Sequence, residues 1–334
     1  MKFQFIVLGI LGLVAANCGT AIAANSDGSA DKFPVKPIRF VVGFPPGGGN
    51  DALARLVGPK LADQLGVSVV VDNRPGAGGN IAAELVTRAP ADGYTILIAS
   101  SSHPIQGLLK RGLPYDPIKD FAGIAELVVY RSLLVVYPGL PVKTVKEFIA
   151  LAKSKPGQLN FASSGNGTGS HLGGELFKVA ADVDITHVSY KGGGQALLDL
   201  IAGRVESMFS PLVPVLPHLK SGRLRPIAVT SLSRSRLMPE LPTIAESGLP
   251  GFEYVAWYGV MAPVATPRSV VSRLNKAFND VLSLPEIDES ARLQDMDITR
   301  ITPEKFDLVR REMIPKWEKI IRNPDFEGKQ NLGK

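Results

Sequence analysis

The sequence predicts an α/β protein built on parallel β-strands. Residues 38–101 alternate apolar runs with helical patterns in the order β-α-β-α-β, which is typical of a parallel sheet covered by helices. The apolar runs are continuous rather than alternating, as expected for strands buried on both faces. Glycine-rich loops join a strand to a helix in both halves of the chain, which favours two units of similar build.

In the first half, IRFVVG (38–43) predicts a buried strand, and residues 50–65 carry leucines at helical spacing. Asn50 or Asp51 suits the N-cap of this helix, Gly66 suits its C′ position, and Pro59 should kink or split it. A second strand is predicted at VSVVVDN (67–73), and RPGAGGN then predicts a turn. A second helix that ends near Pro90 is predicted at IAAELVTRAP, and a third strand is predicted at YTILIASSS.

The second half also contains a strand, a glycine-rich loop and a helix in succession, although no internal repeat of fixed period appears. Residues 121–137 form a long apolar stretch interrupted by Tyr130, Arg131 and Ser132, which predicts two extended segments. Further strands are predicted at QLNFASS, DITHVSY and LRPIAVTS (224–231), the last of parallel type, and VESMFS leads into the proline-rich VPVLPHLK. Helices are predicted at TVKEFIALAKSKPG, HLGGELFKVAA and QALLDLIAGR, and two late amphipathic helices at RLNKAFNDVLSL and PEKFDLVRREMIPKWEKII.

The N-terminus has the pattern of a secretory signal. Lys2 precedes an apolar run over residues 6–16, and Ala21-Ile22-Ala23 fits the small-residue cleavage rule, so we expect cleavage after Ala23. A rival interpretation, lipidation of Cys18, ranks second because Asn17 is a poor residue before a lipidated cysteine. Either way the chain is exported, and residues 24–33 are expected to be a flexible leader. Cys18 is the only cysteine, so cleavage after Ala23 leaves none for a disulfide or a metal.

Two glycine-rich loops carry the strongest signal for a site. FPPGGGND (44–51) and SSGNGTGSH (163–171) each lie between a strand and a helix start, where unpaired amides and the helix dipole favour an anion. Simple tight turns are the alternative for each loop alone, but two loops of the same kind favour a ligand clamp. The candidate ligand-binding residues are Phe44, Gly47, Gly48, Gly49, Asn50, Asp51, Ser163, Ser164, Gly165, Asn166, Gly167, Thr168, Gly169, Ser170 and His171.

Within these loops, Asp51 would repel an anion, so we expect it to cap the helix and hold the loop instead. His171 is expected to support the second loop from the start of its helix. Secondary candidates are Ser101, Ser102, Tyr190, Lys191 and Ser210. Aromatic residues such as Trp257 and Tyr258 could floor a cleft, although aromatic side chains more often lie in the core.

Other functional classes fit poorly. GxxxxGK[ST] is absent, and Gly165, Gly167 and Gly169 are followed by Ser170, so the GxGxxG nucleotide motif fails as well. GxSxG is absent, and neighbours such as Ser170 and His171 do not face each other on a helix. The four histidines lack metal-ligand spacing, and no cofactor is expected. The net charge is +6, but Lys and Arg are scattered, so nucleic acid is not an expected partner.

Read together, many ordered motifs resemble the periplasmic substrate-binding receptors of tripartite tricarboxylate transporters, the Bug/TctC type. The resemblance covers about residues 34–320. It rests on KPIRFVVGFPPGGGNDALARL, VVVDNRPGAGGNIAAELVTRAPADGYTIL, LPYDPIKDFAGIAEL, SSGNGTGSHLGGELF, HVSYKGGGQALLDLIAGRV, LRPIAVTS, LPTIAESGLPGFE and WYGVMAP.

The resemblance implies a bilobed periplasmic binding protein fold, in which two α/β domains flank a cleft. Domain 1 would comprise residues 34–130 and 230–334, and domain 2 residues 131–229, with crossings near Tyr130–Leu133 and Ile227–Thr230. The two glycine-rich loops would pinch a ligand carboxylate through backbone N–H and hydroxyl groups, with ordered waters helping. The implied function is a periplasmic, monomeric solute receptor without catalysis, which hands its ligand to membrane permease subunits.

The sequence departs from the family pattern at Gly43, where proline is common, and at Asn50, where threonine or serine is common. Pro59 and the string SSSHPIQGLL are also unusual. Family ligands include dicarboxylates, tricarboxylates, amino acids and aromatic acids, and the sequence does not select among them. Two alternatives stay open: a ligand sensor for a signalling partner, and an α/β enzyme that acts on a carboxylic acid.

Overall fold

The structure is a computed structural model that describes residues 32–110, 112–322 and 326. The predicted signal peptide and the rest of the leader up to residue 31 lie outside the described residues. Phe33, placed at the end of the predicted leader, is 2% exposed and packs edge-to-face on Tyr94 with ring centroids 4.8 Å apart. Phe33 is therefore part of the folded core rather than of a flexible leader.

The first lobe begins with the predicted β-α-β-α-β order. Its elements are β1 (Ile38–Val42), α1 (Gly49–Leu65), β2 (Val69–Asn73), α2 (Asn80–Thr87), β3 (Thr95–Ser100) and the short α3 (Gln106–Leu109). β1 pairs in parallel with β2 on one side and β3 on the other, as predicted. α1 continues through Pro59 without splitting and ends where Gly66 takes a left-handed conformation with φ of 70°.

One long strand, β4 (Phe121–Val136), corrects two predictions. It is a single strand of 16 residues, where the sequence predicted two extended segments. Its first part, as far as Arg131, pairs antiparallel with β9 (Val255–Pro263). Its second part pairs antiparallel with β7 (Ser207–Pro211) from Ser132 onward and with β8 (Arg225–Val229) from Leu133 onward. The pairing of β8 with β4 is thus antiparallel, not parallel as predicted.

The second lobe follows β4. Its remaining elements are α4 (Val145–Ser154), β5 (Asn160–Ser163), α5 (Gly169–Ala181), β6 (Thr186–Ser189), α6 (Gly193–Ile201) and α7 (Leu212–Lys220). β5 pairs in parallel with β6 and β7, so its loop emerges between two neighbours. A capping box formed by Thr144 and Glu147 begins α4.

The chain then returns to the first lobe. β9 inserts antiparallel between β3 and β4, and the remaining elements are α8 (Arg268–Leu282), α9 (Pro285–Leu293), β10 (Met296–Ile298) and α10 (Pro303–Ile321). β10 pairs antiparallel with the first half of β4. None of the helices in the described ranges combines the length and the apolar character needed to cross a membrane.

A buried hydroxyl ties the strands together where β4 passes between lobes. Thr230 is fully buried, and its Oγ1 accepts a hydrogen bond from the Ser132 amide at 2.9 Å. The same hydroxyl donates to the carbonyl of Tyr254 at 2.6 Å. Ser132 and Thr230 lie within the predicted crossings at Tyr130–Leu133 and Ile227–Thr230, whereas Tyr254 directly precedes β9. The residue bounds of the two domains stay a prediction.

Candidate functional site

A cavity of about 770 Å³ lies between the lobes. Its lining combines residues 43–45 and 75–80 of the first lobe with residues 164–167 and 189–192 of the second, together with residues 106, 109, 110, 171 and 187. The β1–α1 and β5–α5 loops therefore both contribute to it. A cavity of this size between two lobes is typical of a small-molecule site.

An internal carboxylate network fixes the first loop. Asp51 is 3% exposed, and its carboxylate accepts hydrogen bonds from the Gly47 amide at 2.9 Å and from Arg55 Nε at 3.0 Å. Asn73 Nδ2 donates to Asp51 at 2.9 Å and to the Phe44 carbonyl at 3.1 Å. Burial alone would raise the pKa of Asp51, but the bonds from Arg55, Gly47 and Asn73 outweigh it and lower that pKa. The carboxylate is thus neutralised within the loop.

The N-cap of α1 is Gly48, with φ of −78° and ψ of 168°, so the prediction of Asn50 or Asp51 at this position is wrong. Asp51 instead lies in the first turn and holds the loop, as the sequence suggested. Its side chain does not cap the helix, because it accepts from the Gly47 amide, four residues earlier, and from Arg55, four residues later in α1. The amides of the first turn keep no intrahelical acceptor.

The three glycines of the first loop differ in their constraints. Gly47 has φ of 86°, a conformation that side chains rarely adopt, and no atom lies within 4 Å of an added Cβ. Gly48 has an ordinary conformation, and the nearest atom to an added Cβ is the Pro45 carbonyl oxygen at 3.6 Å. An added Cβ at Gly49 would lie 2.2 Å from the Tyr258 hydroxyl. All three glycines are exposed, so their backbone is open to an approaching group.

Hydroxyl groups shape the second loop from within. The Ser170 Oγ accepts from the Ser164 amide at 2.9 Å and lies 3.0 Å from Ser164 Oγ. The Thr168 hydroxyl donates to the carbonyl of Gly165 at 2.7 Å. The hydroxyl hydrogen of Thr168 is therefore already used within the loop. Ser164 is half-buried and lines the cavity, whereas Thr168 is 3% exposed.

Two stacked imidazoles lie beneath this loop. His171 Nδ1 accepts from the Gly167 amide at 3.0 Å, and the His171 and His187 rings stack with centroids 4.1 Å apart. His187 Nε2 is 2.6 Å from Ser163 Oγ. Burial, helped by His187 and Lys178, lowers the pKa of His171 to about 3, and burial with Lys178 lowers the pKa of His187 to about 4. Both imidazoles are neutral near pH 7, which lets His171 accept the bond that holds Gly167.

A hydrogen-bond chain joins the lobes beside the cavity. Gln106 Nε2 in the first lobe donates to the carbonyl of Gly167 in the second at 2.9 Å. Asn80 Nδ2 donates to Gln106 Oε1 at 3.1 Å, and Tyr115 OH donates to Asn80 Oδ1 at 2.6 Å. The sequence reasoning missed these residues. The unusual string SSSHPIQGLL, which contains Gln106, was the one signal that pointed toward this part of the pocket.

The structure divides the sequence candidates into two groups. Those that line the cavity are Phe44, Ser164, Gly165, Asn166, Gly167, His171, Tyr190 and Lys191. Those that lie outside its lining are Gly47, Gly48, Gly49, Asn50, Asp51, Ser163, Thr168, Gly169, Ser170, Ser101, Ser102 and Ser210. Of the second group, Ser101, Ser102 and Ser210 are at most 2% exposed. The Ser210 hydroxyl donates to the Pro211 carbonyl at 3.0 Å.

Buried aromatic residues lie against the starts of both helices. Tyr258 and Trp257 are 5% and 4% exposed and belong to the core, which was the favoured prediction. An added Cβ at Gly169 would lie 3.0 Å from the Tyr254 hydroxyl, as one at Gly49 would meet Tyr258. Each glycine-rich loop therefore begins its helix directly against a tyrosine hydroxyl.

Residues 53–325 match the model of the tripartite tricarboxylate transporter family receptor. The chain belongs to this family. BugT of Bordetella pertussis is 36% identical over 318 residues, which cover 95% of this chain and 96% of BugT. The receptor family and its named members therefore agree with the resemblance that the sequence motifs carry.

Solved structures of family-like proteins share the fold. A protein of R. palustris solved with adipate is 36% identical with a TM-score of 0.81, covering 87% of this receptor and 97% of that chain. MatC from Rhodopseudomonas palustris with bound malate is 33% identical with a TM-score of 0.81, covering 87% of this receptor and 100% of MatC. The receptor thus has the bilobed α/β fold of periplasmic binding proteins and belongs to the Bug/TctC type of receptor.

Proposed function

We propose that this receptor closes around a small organic carboxylate in the interlobe cavity and delivers it to the membrane permease subunits of a tripartite tricarboxylate transporter. The observation that carries the proposal is that two strand–helix loops contribute to one cavity, the first through Phe44 and Pro45 and the second through residues 164–167. The structures with adipate and with malate support an organic acid as ligand. The receptor works in the periplasm as a monomer, after cleavage at Ala23, and without catalysis.

In this proposal the β1–α1 and β5–α5 loops hold the carboxylate. The first-turn amides of both helices lack intrahelical acceptors, and the helix dipoles favour negative charge at that point. The Asp51 network keeps the first loop open without presenting a free carboxylate to the ligand. The Ser170, Thr168 and His171 contacts hold the second loop in place. Preorganised donors of this kind bind an anion without a charged clamp.

Closure supplies the signal to the transporter. Because β4 continues from one lobe into the other, a change of lobe angle is concentrated at the junction near Ser132 and Thr230. Hinge closure around a ligand is a common motion of two-lobed receptors. The closed form presents one joined surface of both lobes, and the permease subunits recognise that surface.

Thermal-shift screening of the mature protein against mono-, di- and tricarboxylates, amino acids and aromatic acids tests the ligand class. A ligand that binds only the folded receptor raises the melting midpoint by mass action. We expect a selective shift with one acid or a short series of acids. A well-folded sample that carries no co-purified molecule by native mass spectrometry and shifts with no acid would contradict the proposal.

Gly48→Val tests the first loop. The backbone at Gly48 accepts a side chain, and only the Pro45 carbonyl oxygen lies within 4 Å of the new Cβ, so the variant should fold normally. The added branches cover the amides of the loop, and we expect calorimetric binding of the best acid from the screen to be lost. Gly48→Ala is the matched control with a smaller expected loss. Unchanged affinity in Gly48→Val would remove this loop from the site.

A further inference from the structure

The charged side chains that line the cavity are all positive. Within the described residues that form the lining, Lys110 and Lys191 are the charged side chains, and neither Asp nor Glu occurs. The two histidines of the lining, His171 and His187, are neutral near pH 7 because burial lowers the pKa values to about 3 and about 4. The walls therefore present a net positive charge to whatever occupies the cavity.

The two lysines come from opposite lobes. Lys110 follows α3 in the first lobe, four residues after Gln106, and Lys191 lies in the β6–α6 loop of the second lobe. Both side chains are exposed. Across residues 32–110, 112–322 and 326, neither lysine forms a salt bridge, whereas Lys36 and Lys276 are paired with Asp92 and Asp280. Among the residues that the structure describes, two cations thus line a cavity without acidic side chains, and no carboxylate forms a salt bridge with either of them.

We propose that Lys110 and Lys191 recognise a second anionic group of the ligand, one lysine from each lobe. This inference rests on the proposed function, in which the neutral α1 and α5 loops hold the first carboxylate. Those loops can bind one carboxylate through backbone amides, but they contain no cation for another. The lysines supply that charge, and an ammonium pairs well with a carboxylate as a compact point charge.

In this arrangement the second negative charge of the ligand favours closure of the two lobes. A dianion that contacts both lysines is bound by both lobes at its far end, so it stabilises the closed form more than a monoacid does. A monoacid of the same length leaves two unneutralised ammonium groups in the narrowed cavity. The lysine pair therefore acts as a specificity determinant for dianionic acids, and its contribution should weaken as salt is raised.

Paired acids of equal length test this inference in the mature protein. Calorimetry would compare each straight-chain diacid of three to eight carbons with the monoacid of the same carbon number, for example adipate with hexanoate. The variants are Lys110→Met, Lys191→Met and the double variant, which keep chain length and remove the charge. Lys220→Met, an exposed lysine at the end of α7 that does not line the cavity, is the matched control.

We expect the best diacid to bind more tightly than its monoacid, and each lysine variant to weaken diacid binding about tenfold. Monoacid binding and the control variant should be unchanged. A best ligand that is a monoacid, or a diacid-to-monoacid ratio that is unchanged in the double variant, would overturn the inference. In that case, loss of binding in Gly48→Val would show that the carboxylate clamp still stands. Absence of binding by every acid tested would overturn both proposals.

Discussion

Replacement of Gln106 by leucine probes how lobe contact contributes to affinity. Gln106 is 4% exposed and donates from Nε2 to the Gly167 carbonyl at 2.9 Å. Because this bond joins residues of different lobes, it forms when the lobes approach. Leucine has a similar volume but can neither donate to Gly167 nor accept from Asn80. The variant therefore removes the polar contact while it leaves the cavity wall filled.

The expected magnitude follows from the groups left behind. The Gly167 carbonyl loses its side-chain donor, and Asn80 Nδ2 keeps one acceptor, the Ala77 carbonyl at 2.8 Å. One buried polar group without its partner costs about 1–3 kcal/mol. This cost falls on the closed form, so the Kd of the best acid should rise roughly 5- to 150-fold.

Calorimetry on the wild type and Gln106→Leu measures this change directly. Gln64→Leu is the matched control, because Gln64 Nε2 donates to Asp280 at 2.9 Å within the first lobe and lies away from the cavity. The control should bind as the wild type does. Equal Kd values for Gln106→Leu and the wild type would refute the reasoning, since the bond would then make no difference between open and closed forms.

Two further predictions concern stability. Thr230→Val leaves the buried Ser132 amide without its acceptor and should lower the free energy of unfolding by about 1–3 kcal/mol in urea titrations; an unchanged midpoint would contradict it. Stability should also fall with acid. Burial lowers the pKa of three histidines, His103, His171 and His187, to about 3 or 4. Their imidazoles therefore stay neutral in the folded state, whereas in the unfolded chain they take up protons near pH 6.5. These buried neutral histidines do not lower the free energy of unfolding above about pH 6.5, but that free energy falls as the pH drops from there toward about 3–4. A urea midpoint at pH 5.5 equal to that at pH 7.5 would speak against neutral burial.

The sequence predicted the elements whose causes are local. α1 and its glycine-rich start were identified because helical spacing, Gly66 and the GGG run all act within a few residues. The direction of β8 was missed because it depends on β4, a partner about 90 residues away along the chain whose pairing leaves no local pattern. Continuity of β4 was missed for a similar reason. Arg131 looks like an interruption, yet its guanidinium donates to Asp295 at 2.8 Å, 164 residues away in sequence.

The cavity lining was predicted only where its residues belong to a local motif. The two glycine-rich loops are local motifs, and both contribute residues to the cavity, although the glycines at 47–49 lie outside its lining. The Asp51 network was predicted in part, since a carboxylate beside an anion site needs an internal partner. Gln106 and Asn80 gave no such signal, because a single amide becomes meaningful only once folding places it opposite another lobe.

The shared strand decides how this receptor can be divided. A chain cut at Arg131 or Ser132 would leave each lobe with part of β4, and the first lobe would also lack β9 and β10, which come later in the sequence. Neither lobe is therefore a portable module. The loops after β1 and β5, in contrast, emerge at strand ends, so their sequences can change without altering the strand pairing of β4. We therefore expect ligand preference in a receptor of this build to change through substitutions in the segments that line the cavity, such as those that carry Lys110 and Lys191, rather than through recombination of lobes.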